Sequence, residues 1–351
     1  MNYAQFSEAL FAQIDAAPEI PLEHDARVVI LSDLHAGDGS ARDDLSRNGA
    51  LLLALLERHY LPRGSTLILN GDVEELQKYR LSTIRAAWPG LYGLFDRFSE
   101  AGGLFKILGN HDEALELERS YPYPLYHGLS LRSGKDSLYV VHGHQASHFY
   151  ANFNKLSGAL VKYVVRTLGL PNLNVSKNSR RKFKIERRFY RFCQENKLVA
   201  VIGHTHRPLF ESLSKYDSLR FAIERLCREY PLADEVSRLE IAAALADYKE
   251  EFGRLRRRER RGDRGLGLYG RELLLPCLFN SGCAVGKKGI TALEIEDGKI
   301  ELVYWYEVGK MRRYLERESA RAFPLDGTPY RRVVINSDRL DYLFARIGLL
   351  A

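Results

Sequence analysis

An α/β fold organised around a layered sheet is predicted by three features of this 351-residue chain. Short apolar runs each end at a polar residue or a glycine, and helical patterns alternate with them. The composition, 45% hydrophobic and 28% charged, matches a globular chain that can bury a sizeable core. The length suits one large domain with insertions or two small ones. Collagen, a coiled-coil rod and a disulfide scaffold are excluded. Cys193, Cys227, Cys277 and Cys283 form no CxxC pair, which predicts reduced thiols in a cytosolic setting.

Taken in order, the first residues carry acids and lack a basic stretch followed by an apolar one, so no signal peptide is expected. Strands are predicted in RVVILSD (27–33), TLILNGD (66–72), LFKILGN (104–110), LYVVHG (138–143) and LVAVIGH (198–204). A helix is predicted over about 48–60, stopped by Pro62 and Gly64. Its GALLLALL run is the longest apolar stretch and falls far short of the roughly 20 residues needed to span a bilayer. Beyond residue 208 a polar, mostly helical segment reads as an insertion. Strand signals resume in LLLPCLFNSG (273–282) and in ITALEIEDGKIELVYWY, whose Asp297-Gly298 pair predicts a hairpin. The tail ends in RRVVIN and LDYLFARIGLLA, expected to pack back on the body. The expected organisation is one domain with a core of about 26–149, 198–210 and 273–308. A basic helical cap is expected at 150–197, a second helical insertion at 211–272 and an extension at 310–351.

The net charge of +7 is concentrated. Residues 155–197 hold twelve Lys or Arg against Glu186 and Glu195, a local +10, so the rest of the chain sums to −3. Such a stretch is either a solvated helical face or a surface for a polyanion: a phosphorylated substrate, nucleic acid or anionic lipid. Interleaved aromatics and the apolar LSGALVKYVVRTLGL before it suit an amphipathic cap on a membrane or a lipid-like substrate. A cytoplasmic protein, peripheral at the inner face of a membrane, is the corresponding expectation.

Each predicted strand ends in metal-ligand residue types: Asp33-Leu34-His35, Gly71-Asp72, Gly109-Asn110-His111-Asp112, His142-Gly143-His144 and Gly203-His204-Thr205-His206. Six of the ten histidines fall in these blocks. Strand ends converge on the crevice of an open α/β sheet, and glycine permits tight turns there. Carboxylate, imidazole and one amide together suit Mn, Fe(II), Zn, Co or Ni better than an all-oxygen calcium site. A two-metal centre is expected.

The ordered pattern DxH, GD, GNHD, H, GHxH resembles that of the calcineurin-like metallophosphoesterases, over Asp33 to His206. That resemblance implies a four-layer α/β/β/α metallophosphoesterase sandwich with helical cap insertions. One metal would be held by Asp33, His35 and His206, the other by Asn110, His142 and His204, with Asp72 bridging. It also implies hydrolysis of a phosphate ester or pyrophosphate by a hydroxide shared between two divalent ions, Mn foremost, with Fe, Zn, Co or Ni as alternatives. His111 would protonate the leaving oxygen or stabilise the transition state, placing it with Asp72 and Asn110 in the catalytic group. Glu75 would orient His111, and Asp112 would support the ligands from behind. Arg207 is expected to contact phosphate, and His144, where many relatives carry Asp, to touch substrate. Asn280 and Ser281 are expected near the last motif.

Among branches of the family, the chain is similar in motif pattern to the UDP-2,3-diacylglucosamine pyrophosphatases. GDxxE (71–75), HG, GHTHRP (203–208) and a basic insertion before His204 are shared. GNHD in place of GNRD, HGH in place of HGD and the second insertion are departures. The substrate is therefore left open between a lipid-linked or nucleotide-sugar pyrophosphate and a phosphodiester of nucleic acid or nucleotides. A non-catalytic scaffold is disfavoured because all seven ligand positions and His111 are filled.

Overall fold

The computed structural model describes residues 3–146, 179–259, 275–310 and 322–351. Residues 147–178, which hold His148 and most of the expected cap, 260–274 and 311–321 lie outside the described set.

Among the described residues, fifteen strands build two sheets. The first has the order β14 (Ala322–Pro324), β15 (Tyr330–Arg339), β13 (Lys299–Glu307), β12 (Gly289–Glu296), β2 (Val28–Leu31), β3 (Thr66–Asn70), β4 (Leu104–Ile107) and β5 (Leu125–Tyr126). β2 to β5 run parallel, and the flanking hairpins are antiparallel. The second has the order β1 (Glu19–Pro21), β6 (Leu129–Ser133), β7 (Asp136–Val140), β8 (Val199–Ile202), β11 (Leu278–Asn280), β9 (Leu209–Phe210) and β10 (Leu213–Ser214).

Strand alternation dictates the layers. Val28 and Ile30 of β2 join Ile68 and Ile107 on the face turned to the second sheet, where Leu131, Leu138, Val140, Val199 and Val201 meet them. Val29 and Leu31, with Leu67, Leu69 and Trp305, turn the other way. They pack under α2 (Gly49–Leu55), α3 (Leu81–Ala87) and α4 (Pro89–Glu100), whose Leu52, Ile84, Leu91 and Phe95 are buried there. Helices α1 (Tyr3–Asp15) and α5 (Ser179–Asn196) cover the outside of the second sheet through Phe6, Leu10, Ile185, Phe189 and Phe192. Four layers result, as the resemblance implies.

The Asp297-Gly298 turn joins β12 and β13 as expected. Its two residues have φ of 51° and 68°, the left-handed pair that a two-residue hairpin turn requires. The predicted 48–60 helix is α2 continued by a wide turn over Leu56–Tyr60, and it ends at Gly64 with φ 65°.

Three expected boundaries need correction. Residues 179–196, assigned to the cap, form a core-layer helix, because Ile185, Phe189, Phe192 and Cys193 make a continuous buried stripe. The tail packs back on the body as expected, but its described residues 322–351 are part of the core and not an extension of it. β15 pairs with β13 along its length, and α8 (Leu340–Leu350) seats Leu340, Leu343 and Ile347 in the core between the sheets. The core also begins before residue 26, since β1 pairs with β6 and Phe6 is buried. The second insertion, within its described residues, is a hairpin of α6 (Lys215–Glu229) and α7 (Glu235–Glu259).

Candidate metal centre

Four parallel or near-parallel strands deliver the site: the loops after β2, β3, β4 and β8 meet at one edge, and the loop after β7 adds His142. Asp33, His35, Asp72, His204 and His206 have φ between 47° and 60°, in the left-handed region. A non-glycine residue there costs about 1–2 kcal/mol. Five such residues in three loops mark a place where the surroundings hold an unfavourable backbone in order to aim side chains inward.

The glycines preceding the ligands have a related cause. A Cβ on Gly71 would strike the His142 ring, one on Gly109 would strike Asp72, and one on Gly203 would lie 2.8 Å from the Asp33 carboxylate. The motif glycines are required because the loops cross at ligand distance, beyond any need of the individual turn.

Three groups of possible ligand atoms result among the described residues: Asp33 with His35 and His206, Asp72 with His142 and His204, and beside them His35 with Glu75 and His111. Asp72 Oδ2 is the common vertex. It lies 3.1 Å from His142 Nε2, 4.0 Å from His35 Nε2 and 4.0 Å from His111 Nε2. His206 Nε2 is 3.0 Å from Asp33 Oδ1 and 3.1 Å from His35 Nε2.

Hydrogen bonds on the far side of each ring fix which nitrogen faces the centre. His142 Nδ1 donates to the Asn70 carbonyl at 2.8 Å, so Nε2 is the nitrogen turned toward Asp72. His35 Nδ1 donates to Glu75 Oε2 at 3.2 Å, leaving Nε2 toward His206. The other carboxylate oxygens are taken by backbone: His204 N–H donates to Asp33 Oδ2 at 2.9 Å, and His111 N–H to Asp72 Oδ1 at 2.8 Å. Asp33 Oδ1, Asn110 Oδ1, His142 Nε2 and His204 Nε2 are buried with no hydrogen-bond partner among the described residues. Carboxylate oxygens and imidazole nitrogens converging at about 3 Å, their outer atoms already bonded, repel one another unless a proton or a metal ion lies among them. The residues present therefore fit two divalent ions, with three nitrogen or oxygen donors at each cluster, Asn110 at hand, and Asp72 between them.

The charges follow from the same packing. Burial would push Asp33 up, but His206 and its hydrogen bond hold it at about 2. Burial would push His142 down, and the Asp72 carboxylate reverses this, raising it to about 9. His204 is pushed down to about 3, first by burial and then by His142. His111 is raised: burial opposes, while Asp72 and Glu75 prevail. Its Nδ1 is 2.8 Å from Glu75 Oε1, so the same carboxylate that orients His35 also orients His111.

The remaining expected residues take definite places. Asp112 is fully buried behind the ligands, accepting from Val73 N and Gly109 N, each at 2.7 Å, and from Lys106. It ties the loop after β3 to the loop after β4. His144 is buried with its ring 5.4 Å from that of His142 and 6.3 Å from that of His204. Arg207 turns the forked side of its guanidinium to Glu186 of α5. Asn280 donates to Gly203 O at 2.9 Å and to Thr205 Oγ1 at 3.0 Å, and Ser281 shares a 2.7 Å hydrogen bond with Ser32.

Sequence reasoning did not single out Glu186, Lys106 or Glu74. Lys106 is wholly buried, bonded to Asp112 and 3.0 Å from Glu74, which also accepts from Tyr92 and Tyr121. A lysine inside the apolar run LFKIL was the available signal. For Glu186 it was an acid on the apolar stripe of a basic helix.

The sequence model of the calcineurin-like phosphoesterases matches residues 26–208, more than half of the chain. The chain belongs to that family. This phosphoesterase is thus a hydrolase acting on phosphoester bonds. It is similar in structure to YfcE, a phosphoesterase from Escherichia coli, at 13% identity and a TM-score of 0.34, over 90% of this chain and 99% of that one. A predicted phosphoesterase from Streptococcus pneumoniae is similar at 12% identity and a TM-score of 0.29, over 81% of this chain and 91% of that one. A single mutant of Vps29 from Entamoeba histolytica is similar at 12% identity and 0.32, over 88% and 99%. No curated protein matches the phosphoesterase. No described helix is long and apolar enough to cross a membrane.

Proposed function

We propose that this phosphoesterase works with two divalent ions, Mn foremost, held by Asp33, His35 and His206 and by Asn110, His142 and His204, with Asp72 between them. The supporting observation is the convergence of carboxylate oxygens and imidazole nitrogens at about 3 Å, with Asp33 Oδ1, Asn110 Oδ1, His142 Nε2 and His204 Nε2 buried without a hydrogen-bond partner among the described residues. Two such ions supply a nucleophile at neutral pH and charge for the oxygens of an in-line displacement.

The protein's own part is orientation and proton supply. The Asn70 carbonyl and Glu75 lock the His142 and His35 rings so that Nε2 faces the centre. His111 is held by Glu75 at Nδ1 and by its backbone N–H on Asp72, which leaves Nε2 facing the site. Its raised proton affinity makes it the group that gives a proton to the leaving oxygen. Phosphoryl transfer asks little covalent chemistry of the protein, so positioning and charge dominate.

The substrate is a phosphate ester or a pyrophosphate. Metal analysis of purified protein, combined with Mn-dependent hydrolysis of p-nitrophenyl phosphate and bis-p-nitrophenyl phosphate, tests this reading. Two ions per chain and turnover are expected, and the preferred ester sorts monoester from diester chemistry. A reconstituted protein that binds no metal and hydrolyses neither ester would overturn it.

A further inference from the structure

Arg207 stands next to His206, where a guanidinium would be expected to take phosphate. Its Nε and Nη2 instead grip Glu186, a wholly buried carboxylate that also accepts from Thr205 Oγ1 at 2.8 Å. Glu186 thereby fixes both residues that flank His206 in the chain. The place of the phosphate cation is left to another group.

Helix α5 supplies one. The chain reverses at Lys197 (φ 53°) between α5 and β8, so the helix runs back along the strand toward its carboxyl edge. Glu186 lies ten residues before the helix end, about 15 Å along the axis, against about 13 Å for four strand residues. That places it level with the loop after β8, where its contacts are found. Lys182 is one turn further, on the same helix face, and so stands about 5 Å further along the axis, past the level of that loop. It is half-buried, and the charged groups that act on it include Glu186, Arg207 and Asp33, the last a proposed metal ligand. Lys182 makes no hydrogen bond or ion pair among the described residues. Burial, helped by Arg207, lowers its proton affinity, as expected of a partly desolvated cation.

We propose that Lys182, reaching over the centre from the first turn of α5, binds the phosphoryl oxygens of the substrate, while Glu186 holds Arg207 as a positioning group for the His206 loop. This rests on the hydrolytic reading above. An ammonium is a compact point charge that can meet any arrangement of phosphoryl oxygens, so it fits a monoester, a diester or a pyrophosphate.

The test compares wild type with Lys182→Met, Lys182→Arg and Lys184→Met, the last removing an exposed charge from the same helix. Calorimetric titration of the Mn-loaded proteins with inorganic phosphate gives affinity, and p-nitrophenyl phosphate gives KM and kcat. Lys182→Met is expected to weaken phosphate binding and raise KM by about 10- to 100-fold. Metal content should stay unchanged, and the melting temperature should stay equal or rise, because a half-buried cation has been removed. Lys182→Arg should recover part of the loss, and Lys184→Met should remain within about twofold of wild type.

Phosphate affinity unchanged in Lys182→Met would overturn the assignment, as would an equal loss in Lys184→Met, which would show a diffuse field. A lowered melting temperature that accompanies the loss and is shared by Lys182→Arg would make the role structural and overturn it too. If wild type hydrolyses neither ester but Lys182→Met still loses phosphate affinity, the hydrolytic reading fails and the assignment of Lys182 stands.

Discussion

The loops at the metal centre and the hairpin of α6 and α7 are opposite ways of holding polar residues in a fold. In the loops, side chains are buried, five backbones sit in a costly region, and every orienting bond joins residues far apart in the sequence. In the hairpin, the ion pairs Arg228–Glu224, Arg225–Glu229 and Arg254–Glu250 each span four residues on one exposed helix face. Its two helices are held to each other by the Tyr216–Phe252 stack and the Lys215–Glu251 pair, with Leu219 buried, while Leu232 at its turn is 89% exposed. A helical hairpin can be specified by local periodicity. The centre exists only when five separate loops arrive together, and its cost is offset by the packed sheets beneath.

That contrast can be broken at its strongest point first. Asp72→Ala removes the carboxylate shared by both clusters, so metal loading and hydrolysis should fall together, the latter by about 10²–10³-fold or more. An active Asp72→Ala protein carrying two metals would dissolve the two-cluster arrangement.

Next in size is the support behind the ligands. Lys106→Met leaves Glu74 and Asp112 buried without their cation, which should cost about 3–5 kcal/mol in urea unfolding, with less loss in Lys106→Met/Glu74→Gln. A small loss in the single variant would mean that the two motif loops are not joined through this cluster.

A third test is set by pH at the junction of α8 with the body. Glu211 is pushed up to about 7, first by burial and then by Asp338, with Arg346 opposing. A carboxyl that keeps its proton longer in the folded than in the unfolded chain makes stability fall as pH rises from about 4.5 through about 7. Glu211→Gln should therefore raise the melting temperature above pH 7 and match wild type near pH 4. A uniform shift at all pH values would remove the burial of this acid as the cause.

The smallest effect belongs to the hairpin. Arg228→Ala breaks an exposed pair and should change stability by no more than about 0.5 kcal/mol, with hydrolysis unaltered. A larger loss would show that the hairpin depends on contacts its exposure does not reveal.

The strands and the ligand set were legible because each ligand sits at the end of an apolar run, next to a glycine or within a two-residue spacing. β2, β3, β4, β8 and β11 all lie inside the predicted runs, and β7 begins two residues before its run. The role of α5 was not legible. Its seven-to-two charge imbalance masks the buried stripe of Ile185, Phe189 and Phe192, and a cap and a core helix share that amphipathic pattern. Arg207 illustrates a second limit. A guanidinium beside a ligand histidine reads as a phosphate contact until a carboxylate twenty-one positions earlier is found to occupy it.

By itself, the sequence determined the alternation of strands and helices, the Asp297-Gly298 hairpin and the residue types at each strand end, because these depend on backbone preference and side-chain periodicity within a few residues. Only the tertiary structure decided which nitrogen of each histidine faces the centre, why Gly71, Gly109 and Gly203 cannot carry a Cβ, and which basic side chain overlooks the site. Those depend on where loops separated by tens of residues cross. Close packing fixes the crossing through contacts that no local pattern encodes.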